Sequence, residues 1–254
     1  MARIGGRQLE GFRQHQLQEF EDEMVDHFEE FAPRHWQVMG ELDGRRAIRR
    51  GIEQSMKYGF TNHGSVRFYI ELMFMFGSSF DTDPQHPWAI RILGAPGPLD
   101  QMTRADQLYS AMNDYLAQVS GPDHKYLKEA MERLSRVSID DISRSGANLE
   151  GNLLRQLEFI YPEKCGYLGE SVLRSMIQCG FRLAEDYSFT TEKGKVLMVA
   201  LTFAVGHGFA HDPLYNWIQK RLEDSRRREP EKRIEQLHSK ALIYLRHIVQ
   251  QERA

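Results

Sequence analysis

Apolar positions recur with helical spacing over residues 7–31, where Phe20, Met24, Phe28 and Phe31 share one face. Pro33 breaks that run, and a second amphipathic stretch follows at 41–58. Thr61 and Asn62 are cap residues for a third helix, in which Ile70, Leu72, Met73, Phe74, Met75 and Phe76 cover most of the surface. Arg67 and Glu71, four apart, make a helical pair on it. Gly77 stands where a left-handed terminator is wanted, and Phe80 is placed to fold back onto the helix. The succession then returns: a helix at 147–161, a break at Pro162, a helix at 170–186, caps at Thr190 and Thr191, an apolar run from Val196 to Val205, then Gly206 and Phe209. Alone, Val196–Val205 reads equally well as a strand; its likeness to the first run decides for a helix. Residues 100–120 and 123–138 are amphipathic and separated by Gly121-Pro122, which predicts a helical hairpin. The last stretch, 229–252, puts Ile234, Leu237, Ala241, Tyr244, Leu245 and Ile248 on one stripe. No period-two alternation occurs. The expected fold class is all-α.

The return is a repeat at a fixed offset of 129 residues. Without a gap, Tyr58, Phe60, Gly77, Phe80, Asp83, Pro84 and Trp88 fall on Tyr187, Phe189, Gly206, Phe209, Asp212, Pro213 and Trp217. Glu29, Pro33, Gly40, Glu41, Arg45, Ile48 and Gly51 match Glu158, Pro162, Gly169, Glu170, Arg174, Ile177 and Gly180, and Thr61, Leu72 and Phe74 match Thr190, Leu201 and Phe203. Seventeen identities in the 60 positions from 29 to 88 make a duplicated unit the natural reading. The matched residues have structural reasons to recur. Asp-Pro opens a helix, the Asp capping free N–H groups and the Pro tolerated at the first position, and Trp88 and Trp217 then plug that short helix onto the core. The expected organisation is a single all-helical domain over 1–254. It comprises repeat units 24–92 and 147–221 in pseudo-two-fold packing, linking helices at 99–140 forming the hairpin, and a C-terminal helix at 229–252.

Composition narrows the class further. Of 254 residues 41% are hydrophobic and 27% charged, an ordinary globular balance. Thirty-three basic and 36 acidic residues give a formal charge of -3, which argues against a chain that coats nucleic acid. The N-terminal MARIGGRQLEGF has no apolar core, and no stretch approaches the length of a membrane span, so neither secretion nor membrane insertion is expected. Cys165 and Cys179 have no metal or redox spacing, and they align with Trp36 and Arg50; inert thiols and a cytoplasmic location are the expectation.

Catalytic motifs are not found: no nucleophile elbow, phosphate loop, dinucleotide fingerprint or zinc-protease helix. His207 and His211 stand four apart, as metal ligands on a helix do. Gly206 and Gly208 break the helix there, the counterparts of the two histidines are Ser78 and Thr82, and the following Asp212 already serves as a cap. Asp81 and Asp83 lack the further oxygen ligands of a calcium loop, and Asp81 matches Ala210. No catalytic residue, cofactor or metal is therefore assigned. Charge is segregated: 19–30 is acidic, whereas 45–50 and 220–233 are basic, and these faces either meet within the fold or meet a partner.

Two blocks, Met24–Gly59 and Tyr58–Ala89 with its Phe-Gly-Ser-Ser-Phe-Asp-Thr-Asp-Pro core, resemble a group of all-helical bacterial proteins. These are encoded beside type VI secretion effectors, spike-tip proteins and effector chaperones. The resemblance implies a cytoplasmic, non-enzymatic adaptor or co-chaperone, whose partner is a secretion effector or that effector's chaperone. It transfers no functional residue. Two readings from other classes stand beside it. One is an immunity protein, its acidic helix with Glu21, Asp22, Glu23 and Asp26 capping a basic toxin cleft. The other is a metal-dependent enzyme around His207 and His211.

Overall fold

The computed structural model describes residues 6–96, 100–143, 148–223 and 229–251. Among these residues every regular element is helical: α1 (Gly6–Phe31), α2 (Pro33–Met39), α3 (Glu41–Lys57), α4 (His63–Phe76), α5 (Pro87–Leu93), α6 (Gln101–Val119), α7 (Lys125–Arg136), α8 (Ile139–Ser143), α9 (Leu149–Ile160), α10 (Pro162–Leu168), α11 (Glu170–Asp186), α12 (Glu192–Val205), α13 (Asn216–Glu223) and α14 (Pro230–Gln251). Three-residue 3₁₀ turns at Phe209–His211 and Pro213–Tyr215 join α12 to α13. No helix of the described residues is long and apolar enough to cross a membrane.

Local chemistry accounts for most of the boundaries. Asn62 and Thr191 accept from the backbone N–H of Ser65 and Gly194, closing the N-termini of α4 and α12. Gly77 and Gly206 end those helices at φ 95° and 93°, a conformation that a side chain would strain. Pro33 and Pro162 do more than break the chain: each starts a two-turn helix, α2 or α10. The Asp-Pro pairs act one step earlier than the spacing predicts. Asp83 receives the Gln85 N–H within a turn, and the helix begins only at Pro87. Asp212 caps the Pro213–Tyr215 turn, and α13 follows it. Trp88 therefore lies in the first turn of α5, where it is buried, while Trp217 on α13 is half-buried.

Helix bounds recur at the offset seen in the sequence: α2, α3 and α4 start at 33, 41 and 63, and α10, α11 and α12 at 162, 170 and 192. Their last residues, 39, 57 and 76, return as 168, 186 and 205. The correspondence runs on past Trp88. Starts at 87 and 101 for α5 and α6 return as 216 and 230 for α13 and α14. Arg104 of α6 donates to the carbonyl of Tyr58, and Arg233 of α14 to that of Tyr187 at 3.0 Å. Within each half α3 crosses α4, and α11 crosses α12, at a glycine. A Cβ on Gly51 would meet Ile70 Cγ1 at 2.6 Å, and one on Gly180 would meet Val199 Cα at 2.8 Å. Of the expected hairpin, α6 packs on α4, α5 and α10, whereas α7 packs on α9 and α14 and α8 on α9 and α12. Phe28, Phe60, Phe80, Ile177, Phe189 and Phe209, drawn from both halves, are fully buried in one contiguous apolar core.

Candidate functional site

Four of the matched residues, Gly77, Asp83, Gly206 and Asp212, come together where the segments after α4 and α12 meet. Asp83, 1% exposed, uses one carboxylate oxygen for its own turn, accepting from Gln85 N at 2.9 Å. Its other oxygen accepts from the backbone N–H of His207 at 2.8 Å, across the junction. Asp212, also 1% exposed, repeats this: Oδ1 accepts from Leu214 N at 3.0 Å, and Oδ2 crosses to the N–H of Ser78 at 2.7 Å. Ser78 and His207 are counterparts, as are Asp83 and Asp212, so the two cross-links are reciprocal. Gly77 and Gly206 let the chains close: a Cβ at Gly206 would lie 2.9 Å from Asp83 Oδ2, and one at Gly77 3.1 Å from the Val205 carbonyl.

The paired carboxylates differ electrostatically. Burial pushes Asp83 up, but hydrogen bonding from His207, the charge of His86 and the Gln85 N–H outweigh it and hold the carboxyl at about 2. Burial raises Asp212 above the usual carboxylate range despite its bonds to Ser78 and Leu214. Asp81, unmatched in the repeat, is buried and accepts from Tyr58 Oη at 2.8 Å and Tyr69 Oη at 3.0 Å. It closes the first half's aromatic cluster, a role its spacing did not reveal.

His207 and His211 are not gathered around a common point. The His207 ring places Nδ1 3.2 Å from Asp83 Oδ2 and Nε2 3.4 Å from Thr82 Oγ1, whereas His211 is exposed and offers its carbonyl to Arg50 at 2.8 Å. Among the described residues no three His, Cys, Asp or Glu side chains are grouped to hold a metal. Cys165 is buried, and burial pushes its thiol up to about 12.

The charged faces meet largely within the fold. Glu21 of α1 is buried beneath Arg49 at 2.6 Å and Arg45 at 3.1 Å, and Asp22 pairs with Arg45 at 2.6 Å. Glu23 pairs with His63 at 2.8 Å. Two of the four acids assigned to a toxin-capping surface are thus committed to α3. Of the basic stretch 220–233, residues 224–228 lie outside the described residues; Lys220 lies 4.0 Å from Asp43, and Arg233 is bound to Tyr187.

Helices α9, α12 and α14 form an apolar groove. Leu153, Leu157, Leu197, Leu201, Ala241 and Tyr244 contribute to its lining, and α7 and α8 lie over it. The cover is incomplete. Of the apolar residues on α7 only Ala130 is buried; Leu127, Met131 and Leu134 are half-buried. A cavity of about 180 Å³ remains beneath them. The chain enters α7 through Asp123 and His124, both at positive φ (51° and 58°), which non-glycine residues adopt at a cost. On the first half the positions matching Ala200, Ala204 and Val205 are Glu71, Met75 and Phe76. There the corresponding surface is crossed by a polar network instead, with Glu71 bound to Arg67 and His27 at 2.9 Å each.

Comparison with family models, with curated proteins and with solved structures finds no match to this chain.

Proposed function

We propose that the chain is two copies of one helical unit packed about a pseudo-two-fold axis, serving as a non-enzymatic adaptor. In this reading it is a cytoplasmic co-chaperone that holds a secretion effector, or that effector's chaperone, before delivery. The matched helix bounds and the reciprocal Asp83 and Asp212 bonds support the duplication, since reciprocity is what a two-fold relation produces. The secretion context rests on the resemblance of residues 24–89.

The observation that carries the binding reading is the half-seated cover over the α9–α12–α14 groove. An amphipathic helix lying on an apolar groove is a recurring mode of protein recognition. Here α7 occupies that place itself, with its larger apolar side chains only partly buried and a void below them. A partner's amphipathic helix with bulkier anchors fills the void and displaces α7. Burying two or three large apolar side chains there contributes about 1.5–3 kcal/mol each before ordering costs.

The test is affinity capture of the tagged chain from its native cell, beside an Ala200→Leu variant whose groove is filled. An effector or effector chaperone held by the parent and lost by the variant supports the reading. The same proteins held equally by both remove the groove from it. A bare toxin domain as the sole companion would favour the immunity alternative, and recovery of the chain alone would count against any stable partner.

A further inference from the structure

A second cavity, of about 280 Å³, lies beside the junction, between α6, α10, α12 and the turn before α5. Its walls are mostly aromatic and aliphatic, with Phe76, Tyr115, Phe203 and Tyr215 among them. Set into those walls are three polar side chains from different elements. Lys164 of α10 donates to the Phe203 carbonyl at 2.8 Å and lies 4.4 Å above that residue's ring, so two of its ammonium hydrogens are left for another acceptor. Gln85, 1% exposed, spends its amide nitrogen on Asp83 and the Thr202 carbonyl, while its Oε1 is buried without a partner. His86, 5% exposed, has a buried Nδ1 without a partner. Buried polar atoms of this kind are normally satisfied. Both residues, with Lys164, line one cavity, each unpartnered atom lying just behind its wall.

The scaffold does not require this polar set. At the corresponding corner of the other half the counterpart of Gln85 is Leu214, that of His86 is Tyr215, and that of Lys164 is His35. There His35 Nε2 lies 3.3 Å from the Leu214 carbonyl, and burial lowers its pKa, so that corner closes without a fixed cation. The two corners share their backbone positions and differ in chemistry. That difference is what a ligand site on one of them would produce.

We infer that the cavity binds a small aromatic monocarboxylate bearing a ring hydroxyl or amino group. The carboxylate takes the free ammonium hydrogens of Lys164, the ring lies among Phe76, Tyr115 and Phe203, and the Gln85 amide turns to bring Oε1 to the hydroxyl or amino hydrogen. The charge is limited to one: Lys164 is the cavity's cation, and the buried Asp83 carboxylate nearby disfavours a dianion such as phosphate. The size is adequate, because an apolar void of roughly 150 Å³ already accepts benzene. Entry is from the side where His124 is exposed at the rim. Ordered water is the rival occupant.

The inference is tested by titrating the full chain with 4-hydroxybenzoate and 4-hydroxyphenylacetate, following tryptophan and tyrosine emission and heat. Inorganic phosphate and benzyl alcohol serve as controls. Saturable binding of at least one acid is expected at up to millimolar concentration, with neither control competing. Lys164→Met should weaken it at least tenfold and Lys164→Arg by less. A folded Lys164→Met variant, judged by its circular dichroism and unfolding midpoint, that binds the acid as tightly as the parent overturns the inference. So does the absence of saturable binding of either acid to the parent, which would leave the cavity to water. If Lys164→Met does not fold, Gln85→Leu, which installs the residue of the other corner, replaces it: retained affinity for the hydroxylated acid refutes the assignment.

Discussion

Replacing the two junction aspartates one at a time, and then together, separates their roles. Asp83 and Asp212 share one local and one crossing backbone bond and equal burial, but Asp83 is also met by the Gln85 amide nitrogen and the His207 ring, and their electrostatic settings are opposite. The Asp83 carboxyl is held at about 2 against an ordinary value of 3.8, so its ionised form is favoured in the fold. That difference corresponds to about 2 kcal/mol, which Asp83→Asn should forfeit. Asp212 lies above its ordinary value, so its charge is a burden and Asp212→Asn should cost less than about 1 kcal/mol. Alanine removes at least the two backbone bonds of either residue, at about 1.5–3 kcal/mol per bond to a charged group, so each alanine variant should lose about 3 kcal/mol or more. The double alanine variant should lose less than the sum by about 1 kcal/mol, because once one cross-link is gone the junction has already relaxed. Urea unfolding followed by circular dichroism measures all five. If Asp212→Asn proved the costlier amide, or either alanine cost under 1 kcal/mol, the junction would not work as described.

Three further outcomes follow from the same geometry. Ala200→Leu adds three carbons above the 180 Å³ cavity and should raise stability by about 1–2 kcal/mol at about 0.8 kcal/mol per buried carbon, less any strain; a fall in the unfolding midpoint would mean that no usable void exists. Gly180→Ala should destabilise by about 1–3 kcal/mol, because its Cβ meets the backbone of Val199. Gly51→Ala meets only the side chains of Ile70 and Met73 and should cost less; equal midpoints would contradict the close crossing. Burial lowers His86 from 6.5 to about 4, so on acidification the unfolded chain takes up this proton first. Stability should therefore fall between pH 6.5 and about 4 by about 3 kcal/mol, and the slope should flatten in His86→Gln; an unchanged slope would refute a buried neutral imidazole.

The helices were legible because their signals are local. Asn62 and Thr191 have the chemistry of caps and do cap; Arg67 and Glu71 have the spacing of a helical pair and are bound at 2.9 Å. Gly77 and Gly206, placed as terminators, stand at positive φ. The bounds 24–92 and 147–221 leave out one further correspondence. Arg104, Leu108 and Tyr115 match Arg233, Leu237 and Tyr244 at the same offset, and α6 and α14 begin at matching positions. Six identities fall between 101 and 122, as dense as those from 29 to 88, and Arg104 and Arg233 each donate to the carbonyl of a matched tyrosine.

What the sequence withheld depends on contacts between distant segments. The Asp-Pro pattern marks Asp83 and Asp212 as local caps, which they are, but nothing in a linear pattern indicates that each also crosses to the other half. The same holds for Lys164 and His86, which lie 78 positions apart and meet only because α10 packs beside α6. A half-seated helix such as α7 has the same periodicity as a well-buried one. How deeply it sits depends on the size of residues beneath it, and Ala200 reveals that only once α12 is placed under α7 and α8.

The central claim is that the α9–α12–α14 groove, now covered by α7 and α8, is where a partner helix binds. Hydrogen exchange of the chain alone and with its captured partner tests this most directly. The account predicts that amides of α7 and α8 exchange well before those of α11 and α12 in the free chain. With the partner bound, α7 and α8 should exchange faster still while α12 and α14 become more protected. Protection of α7 itself on binding, or free-state exchange of α7 as slow as that of α12, would contradict it.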